Sequence, residues 1–416
     1  MDSGCESILL GKAKMAFVGG TDDFREEASY EFGNMKATVN TDEEVLNGRP
    51  PKEMCRPSTT TRSGFMEAAG CGVQIITTAD MALKMGLPIY AIVAHIQMAS
   101  DSIGRSIPAP GQGLLTAARE VPGAAQSPLL SLEYRREKLN ETVRDIDAWW
   151  TRQLQLVKSI PVDDIEGILR SLETLRACKI ADAQNLWGSN FRQQDPQISP
   201  IRAALAVWGL TVDDIGVASL HGTSTKANDK NEADVINKQM TRLGRSLSNP
   251  LMTISQKYLT GHPKGAAGAW MFNGGIQVLQ TGIVPGNRNA DNIDTVLQKF
   301  EHLIYSPKTI HTSGIKALML TSFGFGQKGG IVIAIAPKYV FAAISEGEYQ
   351  DYKDRVVARQ QKTGLEFIRG IMSKSLFKAK KESAWKNDES AVFLDPRARA
   401  VFHSATNEFV VTAESR

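Results

Sequence analysis

Residues 216–281 read GVASLHGTSTKANDKNEADVINKQMTRLGRSLSNPLMTISQKYLTGHPKGAAGAWMFNGGIQVLQT. Gly216–Leu220 is a short apolar run that reads as a strand entering His221. Asn231–Leu243 has helical spacing and is stopped by Gly244. Leu251–Ser255 reads as a second strand, opening into a loop that holds His262. Gly265–Thr281 reads as a helix whose many Gly and Ala residues allow close backbone approach. Strand, helix, strand, helix is the alternation of α/β layers. Both histidines fall where the chain leaves the end of a strand, which is where open α/β sheets place their ligands.

Outward from this stretch the pattern continues. Residues 3–14 read as a short helix, and Met15–Val18 as a buried strand ending at Gly19-Gly20. Residues 21–62 are polar, with Asn47-Gly48 and Pro50-Pro51 marking loops. Ala68–Met85 reads as a helix, and Ile89–Ile96 as a central strand. Gly104, Pro108, Pro110, Gly111 and Gly113 give residues 100–125 loop chemistry, leading into a short helix at Leu114–Arg119. Leu139, Val143, Ile146, Trp150, Leu154 and Val157 step by three or four residues between charges, an amphipathic helix. A second helix over 162–180 makes this region a helical insertion. Arg202–Trp208 reads as a helix. Strands at Ala317–Ser322 and Ile331–Ala336 flank a glycine-rich turn, and beyond about 340 the chain reads as charged helix and tail.

At 416 residues the chain is long enough for two or three domains, or one large α/β domain with insertions. Its 48 basic and 45 acidic side chains leave +3, which gives no reason to expect nucleic acid or an anionic membrane as a partner. No apolar run reaches the roughly 18 residues that a bilayer crossing needs. The start, Met-Asp-Ser-Gly-Cys-Glu, lacks the basic region of a signal peptide, so the expected location is the cytoplasm. Cys5, Cys55, Cys71 and Cys178 form no Cys-x-x-Cys pair and are expected as free thiols, with no metal site.

Gly324-Phe325-Gly326-Gln327-Lys328-Gly329 matches the letters of a dinucleotide motif, but a strand follows it where the pyrophosphate would need a helix N-terminus. The nucleotide reading is dropped. His95 lies in an apolar strand and reads as a core or interface residue, while His302, His311 and His403 sit in polar surroundings and are expected in solvent. His221 and His262 are different. Two neutral imidazoles converging on one point donate Nε2–H bonds to a developing enolate or carboxylate. Lys257, five residues before His262, supplies positive charge, and Glu232 and Asp229 are placed to orient it.

His221-Gly-Thr-Ser-Thr, Lys257 to Gly268 (KYLTGHPKGAAG) and Thr321 to Gln327 (TSFGFGQ) resemble, in order and spacing, the three C-terminal motifs of β-ketoacyl synthases. HGTSTKANDKNE, GNMKAT, SGFMEAAGCGVQ and GRSIPAPGQGLLTAARE resemble one branch, the ketoacyl synthase region of the fungal type I fatty acid synthase alpha subunit. The resemblance implies an α/β, thiolase-like fold of two pseudo-symmetric halves in five layers, with a helical insertion and a C-terminal helical tail. It implies a decarboxylative Claisen condensation of an acyl thioester with malonyl carrier protein. By position, His221 and His262 match the histidines of the family's Cys-His-His set, Lys257 its lysine and Glu232 the acid that holds that lysine. Thr223 and Thr225 match threonines of the pantetheine channel. Phe325 matches the gate phenylalanine, whose backbone N–H also serves the oxyanion hole, and Gly324 and Gly326 give the gate its freedom. Both positions are His where thiolases carry one Cys, so thiolase is the weaker relative.

The resemblance also implies partners and a division of the chain. No cofactor is bound directly; phosphopantetheine arrives on the acyl carrier protein. A homodimer and the fatty acid synthase beta subunit are the other expected partners. Residues 1–125 correspond to a partial N-terminal half, 126–195 to the insertion, 196–340 to the C-terminal half and 341–416 to a tail or linker. The family's nucleophilic Cys falls a short distance before Met1, so the first half is expected to be incomplete, and beyond Phe393-Leu-Asp-Pro the family continues into a further domain. Cys5 lies inside a helix without exposed N-terminal amides and is expected as a packed thiol. Three readings share these motifs: a condensing enzyme, a non-catalytic piece that docks a carrier protein or partner subunit, and malonyl decarboxylation alone.

Overall fold

The computed structural model describes residues 1–102, 110–159, 164–376, 382, 386, 399–403 and 408–412. Its strands are β1 (Met15–Asp22), β2 (Gly70–Thr77), β3 (Ile92–Ser100), β4 (Ile215–Ser219), β5 (Leu251–Ile254), β6 (Ile283–Val284), β7 (Leu303–Tyr305), β8 (Ile310–His311), β9 (Ala317–Gly324), β10 (Lys328–Ile335), β11 (Arg399–His403) and β12 (Glu408–Thr412). One sheet has six strands in the order β3-β10-β9-β4-β5-β7. Strands β9, β4, β5 and β7 run parallel, and β10 is antiparallel to both β9 and β3. Strands β4, β9 and β10 are buried along most of their length, because both faces of the sheet are covered and near-continuous apolar runs satisfy both. One face packs Leu205, Ile236 and Met240 from the helices Pro200–Ala206 and Lys226–Arg242. The other packs Met271, Phe272 and Val278 from the helix Ala267–Thr281.

The helix Ala267–Thr281 has a second face, which explains its small residues. It also packs on the two-stranded antiparallel sheet of β1 and β2, so it is a layer between two sheets. A Cβ on Gly70 of β2 would lie 2.4 Å from the Trp270 ring. Gln74 then donates to the Ala269 carbonyl at 2.8 Å and to Asn273 Oδ1 at 3.0 Å.

Several expectations are corrected by this packing. Ala68–Met85 is not one helix but β2 followed by the helix Ala79–Met85, which Thr78 caps through a bond from the Met81 N–H. The run GCGVQIIT extends because it pairs with β1 from Met15–Thr77 to Asp22–Gly70. The strand expected at Ile89–Ile96 forms later, as β3, and among the described residues lies at the sheet's edge, paired with β10. Residues 21–62 hold three short helices, Glu26–Asn34, Thr41–Leu46 and Pro51–Met54; the second is capped by Asn40 Oδ1, which accepts from Asp42 and Glu43. The short helix expected at Leu114–Arg119 is a 3-10 helix, Gln112–Ala118.

Two long helices, Leu132–Ser159 and Ile165–Trp187, run antiparallel and are joined by Arg176–Asp147 at 2.6 Å and by the Trp187 indole donating to Thr142 Oγ1 at 3.0 Å. The chain forms two compact units, Met1–Tyr352 and Lys353–Arg416. The tail is more than helix, since β11 and β12 pair as an antiparallel hairpin. No helix among the described residues is long and apolar enough to cross a membrane. Residues 103–109, part of the stretch expected to be a loop, and the Phe393-Leu-Asp-Pro run lie outside the described residues.

Candidate active site

The turn after β4 is built around one buried carboxylate. Glu232, on the inward face of the helix Lys226–Arg242, accepts from the backbone N–H of His221 at 2.6 Å and of Gly222 at 3.0 Å, and from the Thr321 hydroxyl. The strand end, the helix and β9 are thereby tied together, and the His221 ring is aimed from a fixed backbone. Lys257, 1% exposed, opens the short helix Lys257–Thr260. Its Nζ donates to the His221 carbonyl and to Met271 Sδ at 3.0 Å, and lies 3.2 Å from His221 Nδ1. With Lys257 as the ammonium, its three protons meet three acceptors. In that state His221 Nδ1 accepts, which puts the ring proton on Nε2.

His262 reaches the same tautomer by another route. Its Nδ1 accepts from the Lys264 N–H at 3.1 Å, its own N–H donates to the Met66 carbonyl at 2.7 Å, and its carbonyl accepts from Ala68 at 3.2 Å. The two imidazoles face each other edge-on, with centroids 5.1 Å apart and planes at 85°. Burial, followed by the charge of Lys257, holds both well below the ordinary imidazole range; His262 adds to the shift of His221, and Lys264 to that of His262. Both rings are therefore neutral at pH 7 and each presents one Nε2–H.

Burial pushes Lys257 down and Glu232 up, while the charges of Glu232, Cys55 and Asp229 act back on the lysine. The acid was expected to hold the lysine directly, and this is corrected. No ion pair joins Lys257 to Glu232 or Asp229 among the described residues. The oxygens of Glu232 are taken by the His221 turn and Thr321. Asp229 accepts from the Ser58 N–H at 2.9 Å and pairs with the Arg62 guanidinium at 3.5 Å.

The other expected residues are placed as follows. Thr223 is buried and Thr225 half-buried, their hydroxyls 3.0 Å apart on the loop that His221 opens. Phe325 stands at the β9–β10 turn, 42% exposed. Gly326 has φ +72 and needs glycine, whereas Gly324 lies outside the left-handed region and a Cβ there would make only an ordinary 3.5 Å contact. The freedom expected of both glycines thus rests on Gly326.

Phe32 and Phe65 were missed, because a lone phenylalanine carries no signal of its own. Successive ring centroids run Phe325–Phe32 5.5 Å, Phe32–Phe65 5.5 Å, Phe65–His262 5.1 Å and His262–His221 5.1 Å, an unbroken aromatic line from the exposed turn to the histidine pair. Met271, which receives the third Lys257 proton, was missed for the same reason.

The remaining histidines and cysteines stay apart from this cluster or are chemically quiet. His302 is 2% exposed, against the expectation of solvent, because its N–H donates to Asn237 Oδ1 and its carbonyl accepts from Leu251 as the chain enters β7. His311 is exposed on β8. His95 is half-buried in β3, and burial pushes it down to about 4. The His403 side chain is outside the described residues. Burial raises the Cys5 thiol and pushes Cys55 up to about 12, so both are thiols and not thiolates at pH 7. Among the described residues no group of three or more His, Cys, Asp or Glu is placed to hold a metal ion.

Two family models match successive parts of the chain. The N-terminal domain of β-ketoacyl synthase matches residues 1–82 and the C-terminal domain residues 174–291, which span β4, the Glu232 helix, Lys257 and His262. The fatty acid synthase subunit alpha of Aspergillus oryzae is 58% identical over 414 residues, 98% of this chain. The chain belongs to the β-ketoacyl synthase family. Within that family, the fatty acid synthase subunit alpha of Saccharomyces cerevisiae is 51% identical over 410 residues, 96% of this chain. The chain spans 23% and 22% of the lengths of these two relatives. Among solved structures, the noncanonical ketosynthase FabY of P. aeruginosa matches with a TM-score of 0.61 at 16% identity, over 100% of this chain and 53% of its own. A type II polyketide ketosynthase in complex with its acyl-carrier protein matches with a TM-score of 0.50 at 20% identity, over 80% and 59%. The fold is that of thiolase-like ketosynthases.

Proposed function

We propose that this β-ketoacyl synthase family chain carries the histidine side of a β-ketoacyl-[acyl carrier protein] synthase centre, an acyltransferase activity of fatty acid biosynthesis. One observation carries the reading. Two buried, neutral imidazoles stand 5.1 Å apart, each with Nδ1 in contact with a protein nitrogen, Lys257 Nζ for His221 and the Lys264 N–H for His262, so that with Lys257 as the donor each ring keeps an Nε2–H. In the reaction a malonyl thioester loses carbon dioxide: the bond to the carboxylate carbon breaks and its electron pair becomes an enolate. The enolate oxygen takes hydrogen bonds from His221 and His262, which donate without giving up their protons. The enolate carbon then attacks an acyl thioester, forms the new C–C bond and expels a thiolate, which takes up a proton. Lys257 keeps His221 Nδ1 an acceptor throughout, and Glu232 fixes the backbone from which that ring projects.

Thr223 and Thr225 line the path of the phosphopantetheine arm in this reading, supported by their place on the His221 loop. Phe325 is the gate, its backbone N–H serving the oxyanion of the second step, with Gly324 and Gly326 beside it; the aromatic line from its ring to His262 supports this. The acyl carrier protein brings both substrates, a second copy and the fatty acid synthase beta subunit are the other partners, and the cytoplasm is the location. Residues 1–125 and 196–340 work as the two ketosynthase portions, with 126–195 an insertion and 341–416 a tail.

The test is release of carbon dioxide from malonyl carrier protein by the chain, with no acyl donor added. Release above the buffer blank is expected, and loss of one oxyanion donor in His221→Ala or His262→Ala lowers it about 100-fold or more. No release, or release indifferent to both substitutions, sinks the reading.

A further inference from the structure

A second concavity lies away from the histidines. A cavity of about 660 Å³ opens between the segment that leaves the 3-10 helix Gln112–Ala118, the helix Pro200–Ala206 and the end of the helix Lys226–Arg242. Arg242 is ten residues beyond Glu232 on that helix, about 15 Å at 1.5 Å per residue, so the groove is distinct from the candidate active site.

Its charged lining is Arg119, Glu120, Arg202 and Arg242. Glu120 is already saturated. It takes a two-pronged contact from Arg202 at 3.0 and 2.6 Å and a bond from the Ser199 hydroxyl at 2.8 Å, and after the cost of burial these bonds still hold its carboxyl below the usual range. Arg202 also donates to the Leu243 carbonyl at 2.7 Å, which covers part of the negative C-terminal end of the Lys226–Arg242 helix. That leaves Arg119 and Arg242, both exposed, with no carboxylate at ion-pair distance among the described residues. Arg242 makes one long bond, 3.4 Å, to the Leu115 carbonyl. The groove thus holds one neutral, partly buried ion pair and two guanidinium groups with no carboxylate partner among the described residues.

We propose that this groove binds a small phosphorylated ligand, its phosphate held by Arg119 and Arg242. A phosphate near −2 matches the two spare charges, planar guanidinium groups suit its oxygens, and the volume is that of a small-molecule pocket. The site is independent of the condensation reading.

Isothermal titration of the full chain with inorganic pyrophosphate, at fixed ionic strength, tests it. Binding at millimolar concentration or better is expected. Arg119→Gln and Arg242→Gln should each weaken it about tenfold, and the double variant should abolish it. Arg170→Gln, an exposed arginine on the helix Ile165–Trp187, should leave it unchanged. Both groove arginines are solvent-exposed, so the variants keep the unliganded melting temperature. No heat with pyrophosphate, binding that survives in the double variant, or tighter binding of succinate than of pyrophosphate each overturns the proposal.

Discussion

The charge of Lys257, 3.2 Å from His221 Nδ1, has a measurable consequence. A cation beside an imidazole disfavours the imidazolium, so the lysine lowers the His221 pKa after burial has done so. In Lys257→Met the burial remains and the charge goes, so the His221 pKa rises toward 6.5 without reaching it. The stability sign follows. A buried histidine with a depressed pKa binds fewer protons folded than unfolded, and stability is lost as pH falls from about 6.5 toward the folded pKa. The variant therefore has a narrower acid-labile window, read by NMR titration of the ring; an unchanged or lower His221 pKa contradicts the arrangement. Glu232 gives a second residue-scale test. Glu232→Ala strands the His221 and Gly222 N–H groups and the Thr321 hydroxyl, each costing about 1–3 kcal/mol when buried without a partner. A loss of at least about 3 kcal/mol by urea denaturation is expected, and one below about 1 kcal/mol places these groups in water.

At the scale of elements, the approach of β1 to the His262 loop sets the site. A Cβ on Gly20 would lie 2.0 Å from the Gly265 carbonyl oxygen, a backbone atom with no rotamer to give way. Gly20→Ala pushes the Pro263–Ala266 turn and with it the Lys264 N–H that fixes the His262 tautomer. Overpacking of this kind costs about 1–3 kcal/mol. A drop in melting temperature together with a changed His262 ring signal is expected, and a silent substitution refutes the contact. The same contact shows what could be read from the chain. The strands β4, β5, β9 and β10 were legible because apolar runs of four to eight residues, bounded by turn residues, need only local pattern. Strand β2 was not. Its glycines and small residues suggest a loose helix until Trp270 and β1 supply the neighbours that make extension favourable. That His221, His262, Lys257 and Glu232 come together was legible from spacing and resemblance. The bonding among them was not, because whether Glu232 meets a lysine or a backbone N–H depends on a turn that only the folded chain has.

At the scale of the molecule, the division after Tyr352 predicts where the chain can be shortened. Tyr352 is 6% exposed; its hydroxyl donates to the Leu87 carbonyl at 3.0 Å and accepts from the Ile89 N–H at 3.2 Å, and its ring lies 5.4 Å from Phe341. It pins the start of the helix Glu346–Met372 to the segment that leads into β3, the edge strand of the main sheet. The residues that follow form their own compact unit. A chain ending at residue 356 keeps this anchor and both apolar clusters of the six-stranded sheet, so it should unfold within about 3 °C of the full chain, since 1 kcal/mol moves a domain of this size by about 2–4 °C or less. A chain ending at residue 345 loses the Tyr352 side chain and its two bonds to residues 87 and 89. Removal of a buried aromatic costs about 3–5 kcal/mol, so this shorter chain should melt well below the other. Tyr352→Ala in the 356-residue chain should reproduce the fall. Equal melting temperatures for the two truncations would remove Tyr352 as the point where the sheet-bearing unit is closed.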